Sequence, residues 1–144
     1  MRISSRFTIA IHVLTCIKYF EGNEDLNINS EFLAGSVNIN PVIIRQVLLK
    51  LKSAGFINIS RGKRNITLKK ALNEISLFDI YEAVGCVKSE QLFKFHDAPN
   101  PLCPVGKNIQ PILNDYLTDA QKALENELKR ISLDDIIKKI PAEN

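Results

Sequence analysis

Asn40-Pro41-Val42-Ile43-Ile44-Arg45-Gln46-Val47-Leu48-Leu49-Lys50-Leu51-Lys52-Ser53-Ala54-Gly55 is the stretch that decides the fold, because both ends of a helix are written in it. Asn40 is a good N-cap, since its side-chain oxygen can accept from a first-turn N–H, and Pro41 suits the first helical position. Gly55 suits the left-handed conformation that ends a helix. Between them Ile44, Val47, Leu48 and Leu51 recur at helical spacing and form a buried stripe. Val42, Arg45, Gln46 and Lys50 are left facing outward.

After Gly55 the apolar period changes from 3.6 to 2. Phe56-Ile57-Asn58-Ile59-Ser60 and Ile66-Thr67-Leu68 are predicted strands, and Arg61-Gly62-Lys63-Arg64-Asn65 turns between them. Upstream, Ser30 is expected to cap a short helix that carries Phe32, Leu33 and Val37 inward. Two short helices joined by a tight turn, the second with a polar outer face, describe a helix-turn-helix. A basic-tipped hairpin directly behind it is a wing. A first helix is predicted over 5–20, with Phe7, Ala10, Ile11, Leu14 and Ile17 inward and Val13 and Phe20 widening the stripe. Leu26-Asn27-Ile28 is expected to form a short strand.

Downstream, Ile75-Ser76-Leu77-Phe78-Asp79-Ile80 and Ile131-Ser132-Leu133-Asp134-Asp135-Ile136 share one signature. Each places Ser at the N-cap, Asp at N3 and Ile at N′ and N4, so each reads as a helix start with a capping box and a hydrophobic staple. The first of these helices is expected to end at Gly85 and the second before Pro141. An irregular stretch from Cys86 to Gly106 contains Pro99, Pro101 and Pro104. A long helix then carries Ile109, Leu113, Tyr116, Leu117, Ala120, Leu124 and Leu128 on one stripe that also takes in Ile131. From Asn108 to Arg130 it would be about 34 Å long, with Pro111 in its first turn or kinking it. Such a helix outreaches a small winged domain, so its spare stripe is expected to pack against a second copy of the chain.

The expected fold class is therefore mostly α with a small β-hairpin wing: a winged helix-turn-helix plus a long C-terminal dimerisation helix. The expected units are a DNA-binding domain over 1–85, a linking and sensing loop over 86–107, and the dimerisation and C-terminal helices over 108–144.

Charge supports a polyanionic partner. The net charge of +3 conceals 11 Lys/Arg against 4 Asp/Glu in residues 1–70 and 8 against 12 in residues 71–144. From Arg45 to Lys70 no acidic residue occurs. A double-stranded DNA operator is the expected partner. Val42, Arg45 and Gln46 occupy the positions from which a recognition helix reads base edges, with Lys50 further along the same outer face. Arg can bond bidentately to guanine, Gln to adenine, and Val can meet a thymine methyl. Asn40, Pro41 and the free first-turn amides can seat a phosphate, while Arg61, Lys63 and Arg64 reach backbone or minor groove from the wing. The residue pattern alone also permits an adaptor that keeps the winged fold without binding DNA.

Met1-Arg2-Ile3-Ser4 leading into Phe7-Thr8-Ile9-Ala10, the Asn40-Pro41 helix start, Leu51-Lys52-Ser53-Ala54-Gly55-Phe56-Ile57 and Arg61-Gly62 together resemble the Rrf2 family of transcription regulators. Glu90-Gln91-Leu92-Phe93 and Asn100-Pro101-Leu102-Cys103-Pro104-Val105-Gly106-Lys107 resemble its YwnA-like branch. The resemblance spans nearly the whole chain and implies a winged-helix homodimer, a repressor by expectation, whose long helix makes the interface. It allows a regulatory partner protein as well. The wing departs from the family pattern: Lys63-Arg64-Asn65 stands where a Gly-Gly-aromatic run is usual, so shallower minor-groove entry is expected.

Cys103 lies just before the long helix, and a helix N-terminus together with Lys107 would lower its pKa, which makes it the expected redox-sensing thiol. Cys16 and Cys86 sit in apolar contexts and are expected to be packing residues. Three cysteines with no CxxC pair fit a reducing, cytoplasmic setting. An iron–sulfur cluster is the competing use of Cys86 and Cys103, but a cluster takes about four ligands, so no cofactor and no metal are expected. No nucleophile elbow, glycine-rich phosphate loop or zinc signature occurs, and no enzyme activity is expected. No apolar run is long enough to span a membrane, and no signal peptide is read at the N-terminus.

Overall fold

A computed structural model describes residues 3–61, 66–85 and 92–142. The chain folds as α1 (Arg6–Tyr19), α2 (Ser30–Val37), α3 (Pro41–Ser53), β1 (Ile57–Ile59), β2 (Ile66–Leu68), a 3-10 turn (Leu72–Glu74), α4 (Leu77–Ala83), α5 (Pro104–Arg130) and α6 (Leu133–Ile137). The mostly helical class with one antiparallel hairpin and a long C-terminal helix is the one expected.

Buried side chains of α1 to α4 and the hairpin form a single core. Ala10, Val13, Leu14, Leu33, Ile44, Val47, Leu51, Ile75 and Ile80 are all within a few per cent of complete burial. The expected α3 stripe of Ile44, Val47, Leu48 and Leu51 is its buried face residue for residue. α3 ends in a Schellman motif: Gly55 at φ +83° lets its own N–H reach the Lys52 carbonyl at 3.0 Å and the Phe56 N–H reach that of Leu51 at 3.1 Å. That closure turns the chain straight into β1, which pairs with β2 in the register Ile57↔Leu68, Asn58↔Thr67, Ile59↔Ile66. Ile57 and Ile66 face the core.

The two matching helix starts are not merely alike. Both Ser76 and Ser132 make full capping boxes, with Asp79 and Asp135 respectively. They also bond to each other across the fold, Leu77 N–H to the Ile131 carbonyl and Leu133 N–H to the Ile75 carbonyl, each at 2.9 Å. Leu133 is fully buried as a result. The C-terminal helix, grouped by sequence with the dimerisation helix, is thereby built into the winged domain's core.

Several expectations are corrected. Leu26–Ile28 forms no strand, because no other segment among the described residues offers it a ladder. The cap of α2 is Asn29, whose side chain accepts from Phe32 N–H at 2.9 Å, and Ser30 is the first helical residue. α5 starts four residues before Asn108, at Pro104, and so runs about 40 Å. Pro104 takes the first position, where a missing N–H costs nothing. Pro111 lies inside the helix rather than in its first turn, and it is exposed. The Lys107 carbonyl that Pro111 cannot serve is on an exposed residue and can turn to water. Leu128 packs against the chain's own core instead of facing outward.

Candidate nucleic-acid interface

Asn40 sets the entry to α3 as expected: its side-chain oxygen accepts from Val42 N–H at 2.8 Å. The chain bends by 111° between α2 and α3, within the range of a helix-turn-helix. Asn38, in the left-handed region at φ +62°, makes the corner. This bend turns the outer face of α3 to solvent. Val42, Arg45 and Gln46 are exposed there together, with Pro41 half-buried at the helix start.

Two of these side chains are already held. Arg6, from the first turn of α1, donates to the Gln46 side-chain oxygen at 2.8 Å. Glu31 of α2 lies 3.5 Å from Arg45. Glu31, Arg45 and Gln46 are exposed and Arg6 is half-buried, so both surface contacts can exchange for DNA at small cost. Arg6 and Glu31 were missed in the sequence because no local period links residue 6 with 46 or 31 with 45.

Lys50 is placed differently from its expected role. Its ammonium donates to the Val84 carbonyl at 3.2 Å and so serves the C-terminus of α4. On the wing, Arg61 is exposed next to the strand end. Lys63 and Arg64 lie outside the described residues. Beyond the hairpin, Lys69 is exposed and Lys70 stands 5.8 Å over the Phe56 ring.

The sequence pattern of the Rrf2 family, described as iron-dependent transcriptional regulators, matches residues 3–139. The chain belongs to the Rrf2 family. YwnA of Bacillus subtilis, assigned as an HTH-type transcriptional regulator, is 42% identical over 94% of this chain and 96% of its own. A solved structure of a protein assigned as DNA-binding is 38% identical, with a TM-score of 0.71 over 92% of this chain and 99% of that one. CymR, the global cysteine regulator of Bacillus subtilis, shares the fold at a TM-score of 0.73 over 98% of this chain and 99% of its own, at 15% identity. Rrf2 proteins are DNA-binding transcription regulators and not enzymes, and this chain is one of them. No single helix among the described residues is long and apolar enough to cross a membrane.

The family description raises an iron centre, and the described residues do not supply one. No three His, Cys, Asp or Glu side chains gather among them. Cys103 stands at the N-cap of α5, while Cys16 is buried in α1. His96 is exposed, and its carbonyl accepts from the Gln110 side chain at 2.6 Å. Cys86 lies outside the described residues.

Cys103 sits where the loop meets α5. Its N–H reaches the Asn100 carbonyl at 3.2 Å, and its carbonyl accepts from Lys107 N–H at 2.8 Å. The backbone amides of Gly106 and then Val105 pull its thiol pKa below the ordinary value. Of the two expected causes, the helix N-terminus acts through its first-turn amides, and the Lys107 ammonium does not contribute. Gly106 is required here, since a Cβ on it would fall 2.5 Å from the Asn100 carbonyl oxygen. Burial pushes the Cys16 thiol the other way, with a hydrogen bond to Ser36 offsetting part of the rise.

α5 has no buried residue along its 27 positions. Ile109, Leu113, Leu117 and Leu124 are half-buried, while Tyr116 and Ala120 are exposed. The loop before α5 lies along the helix, with Leu92 N–H donating to the Gln121 side chain at 2.9 Å. Val105 and Ile112, absent from the expected stripe, are exposed together with Tyr116 at i, i+7 and i+11 spacing.

Proposed function

We propose that this Rrf2 regulator is a cytoplasmic homodimeric repressor in which α5 makes the dimer, α3 and the wing read an operator, and Cys103 senses oxidant. One observation carries the reading: the basic, exposed outer face of α3 and the unburied α5 belong to one chain, with Cys103 at the N-cap of α5 where its first-turn amides favour the thiolate. Val42, Arg45 and Gln46 read bases from the major groove, Arg6 adds a phosphate contact, and Arg61 contacts backbone from the wing. Paired α5 helices set the distance between two winged domains, so dimer geometry defines half-site spacing.

Oxidation acts at the joint. The Cys103 thiolate attacks hydrogen peroxide, forming an S–O bond and breaking O–O, and becomes a sulfenic acid as hydroxide leaves. The neutral, bulkier product no longer matches the first-turn amides that favour a thiolate, and the loop against Asn100 must shift. No cofactor takes part in this reading.

Selection of bound genomic fragments supplies the operator, and a binding titration on it with reduced and peroxide-treated protein is the test. Cys103→Ser should bind the operator and ignore peroxide, whereas Cys16→Ser should bind and still respond. Release of DNA by peroxide from Cys103→Ser would remove this thiol from the mechanism.

A further inference from the structure

α1, the end of α2, α6 and the segment after it line an open pocket of about 570 Å³. That volume is within the range of small-molecule sites, which combine an apolar lining with a few convergent polar groups. Here the apolar part comes from Ile11 and Ile136 and from the Tyr19–Phe20 ring pair, whose centroids stand 4.9 Å apart edge-to-face. The polar part is one cluster: His12 Nε2 lies 2.9 Å from the Ser36 hydroxyl, which also bonds to the Cys16 thiol. No carboxylate lines the cavity among the described residues.

We propose that this cavity binds a small aromatic acid and that its occupancy changes operator affinity. Tyr19 and Phe20 offer ring faces and edges to an aromatic body. The His12 imidazole and the Ser36 hydroxyl supply polar groups to the wall, with donor roles set by the tautomer, and no carboxylate in the lining among the described residues repels an acid. Cys16 takes no covalent part, because a thiol raised in pKa by burial is a poor nucleophile. A second copy is the other conceivable occupant. Exposed apolar residues include Val105, Ile112 and Tyr116 on α5 and Ile140 at the pocket itself, so the test below separates a second copy from a small ligand.

The place of the cavity supplies the coupling. Ser36 belongs to the helix-turn-helix, while Ile136 follows the dimer helix and is tied to the winged core through the paired caps. A ligand wedged between them biases the set of the DNA-reading helices against α5. Coupling of this kind is typically worth about 5-fold or more in affinity.

The test uses the full-length protein and calorimetric titration with benzoate, salicylate, indole-3-acetate and 1-naphthoate, each against its neutral amide. At least one acid should bind saturably, one per chain, about tenfold more tightly than its amide, as a charge-assisted hydrogen bond requires. His12→Leu should abolish that preference, and Ile11→Trp should fill the space and abolish binding. The bound acid should slow alkylation of Cys16 but not of Cys103, a readout that survives if Ile11→Trp fails to fold. Absence of saturable binding across the panel, or unchanged binding in a folded Ile11→Trp, overturns the proposal. So does a Cys16 that is unreactive in the dimer yet reactive in a monomeric Leu117→Asp/Leu124→Asp variant, since a second copy would then cover the cavity. None of these arms uses DNA, so failure of the cavity and failure of the repressor reading are separable, and a titration on the operator with and without the acid reads the coupling alone.

Discussion

α3 and α5 are both amphipathic helices, yet they end up in opposite situations. In 13 residues α3 buries four side chains, and in 27 residues α5 buries none. α3 lies against α1, α2, α4 and the hairpin, so its stripe is satisfied inside the chain. α5 joins the core at its C-terminal end, where Leu128 packs inward and Lys129 stands 4.6 Å over the Phe78 ring. A stripe left in water gives no free energy for ordering the helix that carries it. The contrast teaches that the winged domain covers its own apolar stripe, whereas the long helix leaves its stripe only half-buried, which is what the proposed dimer would cover.

The sharpest way to break this contrast is to put charge on α5. Leu117→Asp with Leu124→Asp should weaken self-association by about 3–5 kcal/mol, because each carboxylate would be buried unpaired in the seam. Sedimentation should show a monomer with helical circular dichroism retained in the winged domain. Ile112→Asp with Tyr116→Asp tells which line of the helix the second copy uses. A wild-type protein that sediments as a monomer at micromolar concentration would erase the distinction between the two helices.

Next in size is the core of α3. Leu51→Ala should cost about 2–5 kcal/mol of stability by leaving a cavity under a fully buried position. Urea unfolding of the winged domain reads it, and the same truncation at Leu113 should change the dimer equilibrium more than the unfolding midpoint.

A smaller effect belongs to the outer face of α3. Arg45→Ala should lose about 1–3 kcal/mol on the operator and relax preference at one base position. Removal of Arg61 should weaken all duplexes alike and lower the salt slope by about 1. Equal losses of specific and non-specific binding in Arg45→Ala would show that it touches only phosphate.

The smallest concerns the paired caps that hold α6. Ser132→Ala should cost about 1 kcal/mol, seen as a lower thermal midpoint. Bonding to the Ser132 backbone keeps the Asp135 carboxyl below its ordinary pKa. A depressed carboxyl stabilises the fold above its unfolded pKa, and that contribution is lost as pH falls through the folded value. The wild-type midpoint should therefore fall on acidification more than that of Asp135→Asn.

Local chemistry determined what the sequence could show by itself. The Asn40 cap, the Gly55 closure, the stripe of α3, the two strands of the hairpin and both capping boxes rest on residues within a few positions of one another, so period and spacing display them. Leu26–Ile28 looked like a strand because propensity is local, but a strand exists only where a partner edge exists. α5 gained its first turn because Pro104 and the close approach of Gly106 to Asn100 favour a start that the run of prolines had concealed. Tertiary structure alone decided the contacts between residues far apart in the chain: Arg6 with Gln46, Glu31 with Arg45, Lys50 with Val84, Ser76 beside Ser132, and His12 with Ser36 at the wall of a cavity. Such pairs carry no period, since the separation that brings two side chains together is fixed by the packing of whole elements and not by the pitch of any one of them.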